Sequence, residues 1–175
     1  MQFQKSLLTA TLLVAASLTA VSANAAPNPA TSNFDVKITV NSICTFSTTP
    51  IADIQFDAVD AGTATAQVKN TDITINCSKG AAYNIALTPA STTSAVGVGN
   101  MKGPNDPEGL ELIGYKLTKD AGGTTAWGND GTDRVSGTGV LYATDITKTV
   151  YATLTDTADV TPGDYIDTVN VAVTY

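Results

Sequence analysis

Apolar residues in this chain recur at every second position, and no window longer than ten residues past the first 25 holds a convincing 3.6-residue period. Phe34-Asp35-Val36-Lys37-Ile38-Thr39-Val40 is among the clearest cases: Phe34, Val36, Ile38 and Val40 share one face, and Asp35, Lys37 and Thr39 share the other. The alternation returns at Ile54 and Phe56 within Ile51–Val59, and at Ile73, Ile75 and Cys77, after Val68, within Thr65–Cys77. It recurs at Tyr83, Ile85 and Leu87, then at Ile113, Tyr115 and Leu117 within Leu110–Leu117. Val150, Ala152 and Leu154 repeat it, as do Val169, Val171, Val173 and Tyr175 at the C-terminus. Gly, Pro, Asn, Asp and Thr clusters between these runs read as turns. Half-buried strands alternate, whereas strands of a buried parallel sheet read as continuously apolar, so the expectation is an all-β, antiparallel fold. Six or seven such strands suit a two-layer sandwich, with a closed barrel as the alternative.

Met1–Ala25 has the pattern of a secretory signal: Lys5 near the start, a small-residue apolar run over Leu7–Ala20, and Ala23-Asn24-Ala25 as a cleavage site. The run is short for a membrane span, and no basic stop-transfer cluster follows it. Residues 26–33, Ala26-Pro27-Asn28-Pro29-Ala30-Thr31-Ser32-Asn33, have little to bury and read as a flexible leader. The organisation expected is therefore signal 1–25, leader 26–33, a separate strand 34–40 and one sandwich domain 41–175, in a chain exported from the cytoplasm. The full chain has a net charge of −7, and dropping Lys5 with the signal makes it −8, which disfavours nucleic acid and anionic membrane as partners. It has no histidine, hence no imidazole base, ligand or pH switch, and two cysteines alone cannot build a Cys₄ zinc site. The expectation is a protein with no catalytic residues, no metal, no cofactor and no small-molecule substrate.

Several local signals have a bland and a sharp meaning. Cys44 and Cys77, a pair in an exported chain, are most simply a disulfide, with two buried thiols as the alternative. Asn129-Asp130-Gly131-Thr132-Asp133 resembles part of a calcium loop but lacks the acidic residue at its twelfth position, so a polar turn is preferred. Asp156, Asp159, Asp164 and Asp167 read as solvated surface, and the sequon Asn76-Cys77-Ser78 sits in a strand beside a cysteine, a poor glycosylation site. Thr92–Gly109 and Ala121–Gly139 are Gly-rich and read as long loops. Trp127, in the second, either folds over the core or offers a flat face for sugar stacking.

An alternating apolar strand behind a loose leader serves either its own sheet or another molecule's. In the second case it adds to an open sheet edge on a partner, where main-chain hydrogen bonds and successive side-chain pockets hold it. A head-to-tail contact of this kind does not close on itself and grows a fibre.

From about Phe34 to Tyr175 the chain resembles the spore coat protein U domain family, which includes pilin subunits of archaic chaperone-usher systems. The resemblance rests on Gly163-Asp164-Tyr165-Ile166-Asp167-Thr168-Val169-Asn170-Val171-Ala172-Val173-Thr174-Tyr175 as the closing strand, and on Phe34-Asp35-Val36-Lys37-Ile38 before Cys44. Asp53-Ile54-Gln55-Phe56, Ile75-Asn76-Cys77, Gly114-Tyr115-Lys116-Leu117 and Val150-Tyr151-Ala152 add to it, while Asp57 stands where the family commonly has glycine. The resemblance implies an immunoglobulin-like sandwich that is incomplete and is completed by a donor strand from a neighbouring subunit. It implies that Phe34, Val36, Ile38 and Val40 are the donor residues. Val169, Val171, Val173 and Tyr175 would border the groove and pair with a periplasmic chaperone, and Cys44 and Cys77 would hold the first strand to the sheet. An outer-membrane usher and other pilin subunits would be the further partners, and a surface fimbrium supporting attachment and biofilm formation the destination. The alternative is a stand-alone secreted carbohydrate-binding module using Trp127.

Overall fold

A computed structural model describes residues 29–63, 66–104 and 111–175. Residues 1–28, expected to be the signal and the start of the leader, lie outside the described residues. The chain divides into two units, Met1–Thr39 and Val40–Tyr175. In the described part of the first, residues 29–39 form no strand, and Asp35 and Lys37, two positions apart, are ion-paired at 2.9 Å.

The second unit is an antiparallel sandwich of eight strands among the described residues: β1 (Cys44–Phe46), β2 (Val68–Cys77), β3 (Ala82–Pro89), β4 (Val98–Lys102), β5 (Leu112–Thr118), β6 (Val135–Thr138), β7 (Ile146–Leu154) and β8 (Val169–Thr174). One sheet has the order β1-β2-β7-β5-β4 and the other β6-β3-β8. Because side chains alternate, each strand sends one set inward: Ile73, Ile75 and Cys77 from β2, Val150, Ala152 and Leu154 from β7, and Ile113, Tyr115 and Leu117 from β5. Tyr83, Ile85 and Leu87 of β3 meet them from the opposite sheet. Fully burying an aliphatic or aromatic side chain contributes about 1.5–3 kcal/mol, so this single core carries most of the stabilisation.

Besides Phe34–Val40, which forms no strand here, three segments of this unit differ from the sequence expectation. Val98–Lys102, inside the expected loop Thr92–Gly109, is strand β4, paired to β5 with Gly99 opposite Tyr115. A Cβ on Gly99 would run into the Tyr115 ring, so the glycine that made the segment look like a loop is what lets it pair. The second expected loop contains β6 and a single 3₁₀ turn, Gly131–Asp133. Ile51–Val59, expected as a strand, has no ladder partner; Ile51, Ile54 and Phe56 instead pack against the core while the backbone of Asp57 bonds to a side chain. There the Gln67 carboxamide accepts from the Asp57 N–H at 2.7 Å and donates to the Asp57 carbonyl at 3.0 Å, taking the place of a strand partner.

Candidate functional site

β8, the last strand among the described residues, lies at one end of its sheet. It pairs with β3 in the register Pro89↔Val169, Leu87↔Val171 and Ile85↔Val173, and no strand among the described residues pairs with its other edge. Directly opposed residues share a face, so Val169, Val171 and Val173 extend the inner row begun by Pro89, Leu87 and Ile85. Ile85 and Leu87 are buried, yet the three valines are only partly covered. Tyr175, beyond the last ladder pair, is exposed. β1 ends the other sheet, pairing with β2 alone, and lies near β8 without bonding to it. The sandwich is thus incomplete: between β1 and β8 an apolar row stands half open, beside an edge of unpaired backbone groups.

The two ends of this opening are held differently. At the start of β8, Asp167 accepts hydrogen bonds from Ser91 Oγ at 2.5 Å and from the Tyr115 hydroxyl at 2.7 Å. Burial, with the Asp167 carboxylate next, pushes the Tyr115 phenol well above its usual range. One residue earlier, Ile166 exchanges two backbone bonds with Lys102 of β4, each 3.0 Å. Asp167 is therefore a bridge between the sheets, which corrects its expected place among solvated surface acids. Asp156 likewise is bonded, its Oδ2 accepting the Gly114 N–H at 2.8 Å.

At the other side Cys44 and Cys77 face each other in the β1–β2 register and are joined at 2.05 Å. Beyond them Asn76 Nδ2 and Ser47 Oγ both donate to Asp145 Oδ1 at 2.8 Å, and those bonds, that from Asn76 foremost, hold the Asp145 carboxyl below its ordinary range. Asn76, the sequon asparagine, is engaged in this cluster.

Phe34, Val36, Ile38 and Val40 are 82–89% exposed. Four apolar side chains in alternation, all in water, are the largest unsatisfied hydrophobic feature of the described residues.

Trp127 is 1% exposed, and its Nε1 donates to the Ile85 carbonyl at 3.1 Å. An indole buried between the sheets has no face for a sugar, which removes the basis for the carbohydrate-binding alternative. Gly97, at φ +74°, and Gly128 make this possible: a Cβ on the first would strike the Trp127 carbonyl, and on the second the Ala95 carbonyl. The Asn129–Asp133 segment is a structural turn, with Asn129 Nδ2 donating to Thr88 Oγ1 at 3.0 Å and the Asp133 N–H to the Asp130 carbonyl at 2.9 Å. Among the described residues no group of three or more His, Cys, Asp or Glu is placed to hold a metal.

The Spore Coat Protein U domain model matches residues 30–172. No curated protein matches the chain. Among solved structures it is similar to the CsuC–CsuE chaperone–tip adhesion subunit pre-assembly complex from archaic chaperone-usher Csu pili of Acinetobacter baumannii, with 22% identity over 78% of this chain and a TM-score of 0.48. It is also similar to a chaperone–tip adhesin complex of CFA/I fimbriae biogenesis, with 11% identity over 77% of this chain and a TM-score of 0.39. The chain spans 40% and 42% of the lengths of those two chains. With the family match running from the exposed segment to the last strand, the chain belongs to the Spore Coat Protein U domain family.

Proposed function

We propose that the chain is a structural subunit of a surface pilus, built by strand addition and not by catalysis. Phe34–Val40 of one copy enters the opening beside β8 of the next. Before assembly a strand of a periplasmic chaperone fills the same opening, and an outer-membrane usher exchanges the two. The resulting fibre serves surface attachment and biofilm formation. One observation carries this: the same chain holds an exposed alternating apolar segment and a sheet whose last apolar row is half covered. Each supplies what the other lacks, namely side chains for the row and backbone groups for the free edge of β8.

The energy is adequate. Four apolar side chains moved from water into the opening give on the order of 6–12 kcal/mol of gross burial, partly offset by the ordering of the strand and lost translational freedom. Placing Val36, Ile38 and their neighbours in the opening assigns Val169, Val171 and Val173 to its wall and Tyr175 to its rim, with Cys44–Cys77 anchoring the strand that forms the far side.

The test is a denaturing gel, run with and without boiling, of the mature chain co-expressed with its chaperone, usher and companion subunits. A ladder of multiples that collapses to one band on boiling is expected. Val36→Asp with Ile38→Asp should abolish the ladder while the domain still folds on its chaperone. A normal ladder from that double variant would falsify the donor assignment.

A further inference from the structure

The loop between β6 and β7 places Val140, Leu141 and Tyr142 in succession on the surface, at 66%, 54% and 46% exposure, with Ile43 close by at 44%. Three consecutive large apolar residues in water would be unremarkable in a loose loop, but this one is fastened throughout. The Gly139 N–H donates to the Ala81 carbonyl, and the Gly139 carbonyl accepts from Gly80, both at 2.8 Å. The Thr144 N–H closes a turn on the Leu141 carbonyl at 2.8 Å, and Asp145 is held by Asn76 and Ser47. The Tyr142 and Thr45 hydroxyls share a hydrogen bond at 3.2 Å, which ties the loop directly to β1. Ile43 is fixed on the same pole, its N–H donating to Ser78 Oγ at 3.0 Å and its carbonyl accepting from the Ser78 N–H at 2.9 Å. The patch is therefore presented as a formed surface.

We infer that this patch, Ile43 with Val140, Leu141 and Tyr142, is a packing surface for a second copy of the chain, the copy that receives Phe34–Val40. The inference rests on the pilus function proposed above and adds to it a contact outside the opening. What selects the occupant is chain length. Val40 is the last residue of the alternating segment, and Cys44 is fixed in the sheet by its disulfide and by β1–β2 pairing. Only Asn41, Ser42 and Ile43 intervene. Even fully extended, that connection spans at most about 14 Å. A subunit that holds Val40 in its opening is thereby brought against the pole from which the connection leaves, where the apolar patch stands. The chaperone is under no such constraint, because no covalent link ties it to this pole. Contact between the patch and the second copy buries apolar surface and limits the swing of one subunit on the next, which a flexible linker of greater length would leave free.

The experiment places a photoreactive benzophenone amino acid at Leu141 or, as a control, at Val98 on β4, the far edge strand of the same sheet. Each variant of the mature chain is co-expressed with the chaperone and usher, and the exported fibres are irradiated. The unboiled gel reads strand exchange and the boiled gel reads covalent contact. The expected result is a ladder in the unboiled lanes of both variants, with a boiling-resistant band at twice the mature mass from Leu141 at least fivefold stronger than from Val98. A ladder without that band, a band of equal strength from Val98, or adducts from Leu141 to chaperone or usher alone would overturn the inference and leave the pilus function standing. Absence of any ladder from the unsubstituted chain as well would overturn the pilus function, and the inference with it.

Discussion

The Tyr115 hydroxyl, on β5 in the larger sheet, donates a 2.7 Å hydrogen bond to Asp167, which stands just ahead of β8 in the smaller one. A buried phenol thus secures the start of the strand that borders the opening. Ser91 Oγ shares the same carboxylate oxygen and also accepts the Asn100 N–H at 2.8 Å, so one acid joins the end of β3, β4 and β5 to β8.

This arrangement makes the domain sensitive to alkali. Tyr115 has its pKa raised by burial and by Asp167, and burial raises that of Tyr83 as well. In the unfolded chain both titrate near the ordinary value of about 10. Above that pH the unfolded state gives up protons that the folded state keeps, so stability, fully present below about pH 10, falls as pH rises further. Urea midpoints measured from pH 8 to 11 should decline, and Tyr115→Phe should flatten the decline. At pH 7 the same substitution should cost about 1.5–3 kcal/mol, the range for a hydrogen bond to a charged group.

Trp127 is the only tryptophan, so intrinsic fluorescence reports on the core directly. Trp127→Ala should cost about 3–5 kcal/mol through the cavity it leaves. Trp127→Phe should cost less, while leaving the Ile85 carbonyl without its indole donor. Denaturant unfolding followed by far-UV circular dichroism measures both, and a cost near zero for the alanine variant would contradict the buried position.

Asp120 organises the turn after β5. Its carboxylate accepts from the Thr124 N–H at 3.1 Å and the Thr125 N–H at 2.7 Å, and these two bonds, Thr124 first, lower its pKa to about 2. A depressed folded-state value means that the contribution of this group is present above about pH 4 and is lost as pH falls toward 2. NMR titration of the side-chain carboxyl should give a midpoint near 2. Asp120→Asn should leave the core intact and broaden the amide resonances of Thr124 and Thr125.

Removing the disulfide should hurt more than any surface change. Cys44 and Cys77 are 33 positions apart in sequence, and in the chain-entropy model opening that loop costs roughly 3–4 kcal/mol. Cys44→Ala with Cys77→Ala should lower the urea midpoint accordingly and reduce the yield of folded protein. β1, only three residues long, should lose amide-exchange protection before β2 and β7 do.

Much of this was legible beforehand because alternation is a local signal. β2, β3, β5, β7 and β8 lie where Ile73, Ile85, Leu117, Val150 and Val171 alternate with polar neighbours. Contacts between remote segments were not legible. β4 looked like a loop, since Gly99 is a poor strand residue until the Tyr115 ring lies against it. Ile51–Val59 had the period of a strand but takes its partner from the Gln67 side chain, which no period encodes. For the site, the alternation of Val169, Val171 and Val173 could be read from spacing, as could that of Phe34 to Val40, but the exposure of the latter could not, since the same pattern suits a strand of its own sheet. The function of Asp167 could not, because its partners Tyr115 and Ser91 lie 52 and 76 positions away and only the fold brings them together.

The position of the disulfide has a mechanical consequence. In the proposed head-to-tail fibre, tension would pass along residues 40–43 to Cys44. β1 alone is held to its sheet by only three ladder pairs with β2. The covalent link instead hands the load to Cys77 at the end of β2, which is paired with β7 along eight positions from Val68↔Thr153 to Ile75↔Ile146. A load reaching Cys44 would then be shared between the short β1–β2 ladder and the longer β2–β7 one, and the first strand would be relieved of carrying it alone.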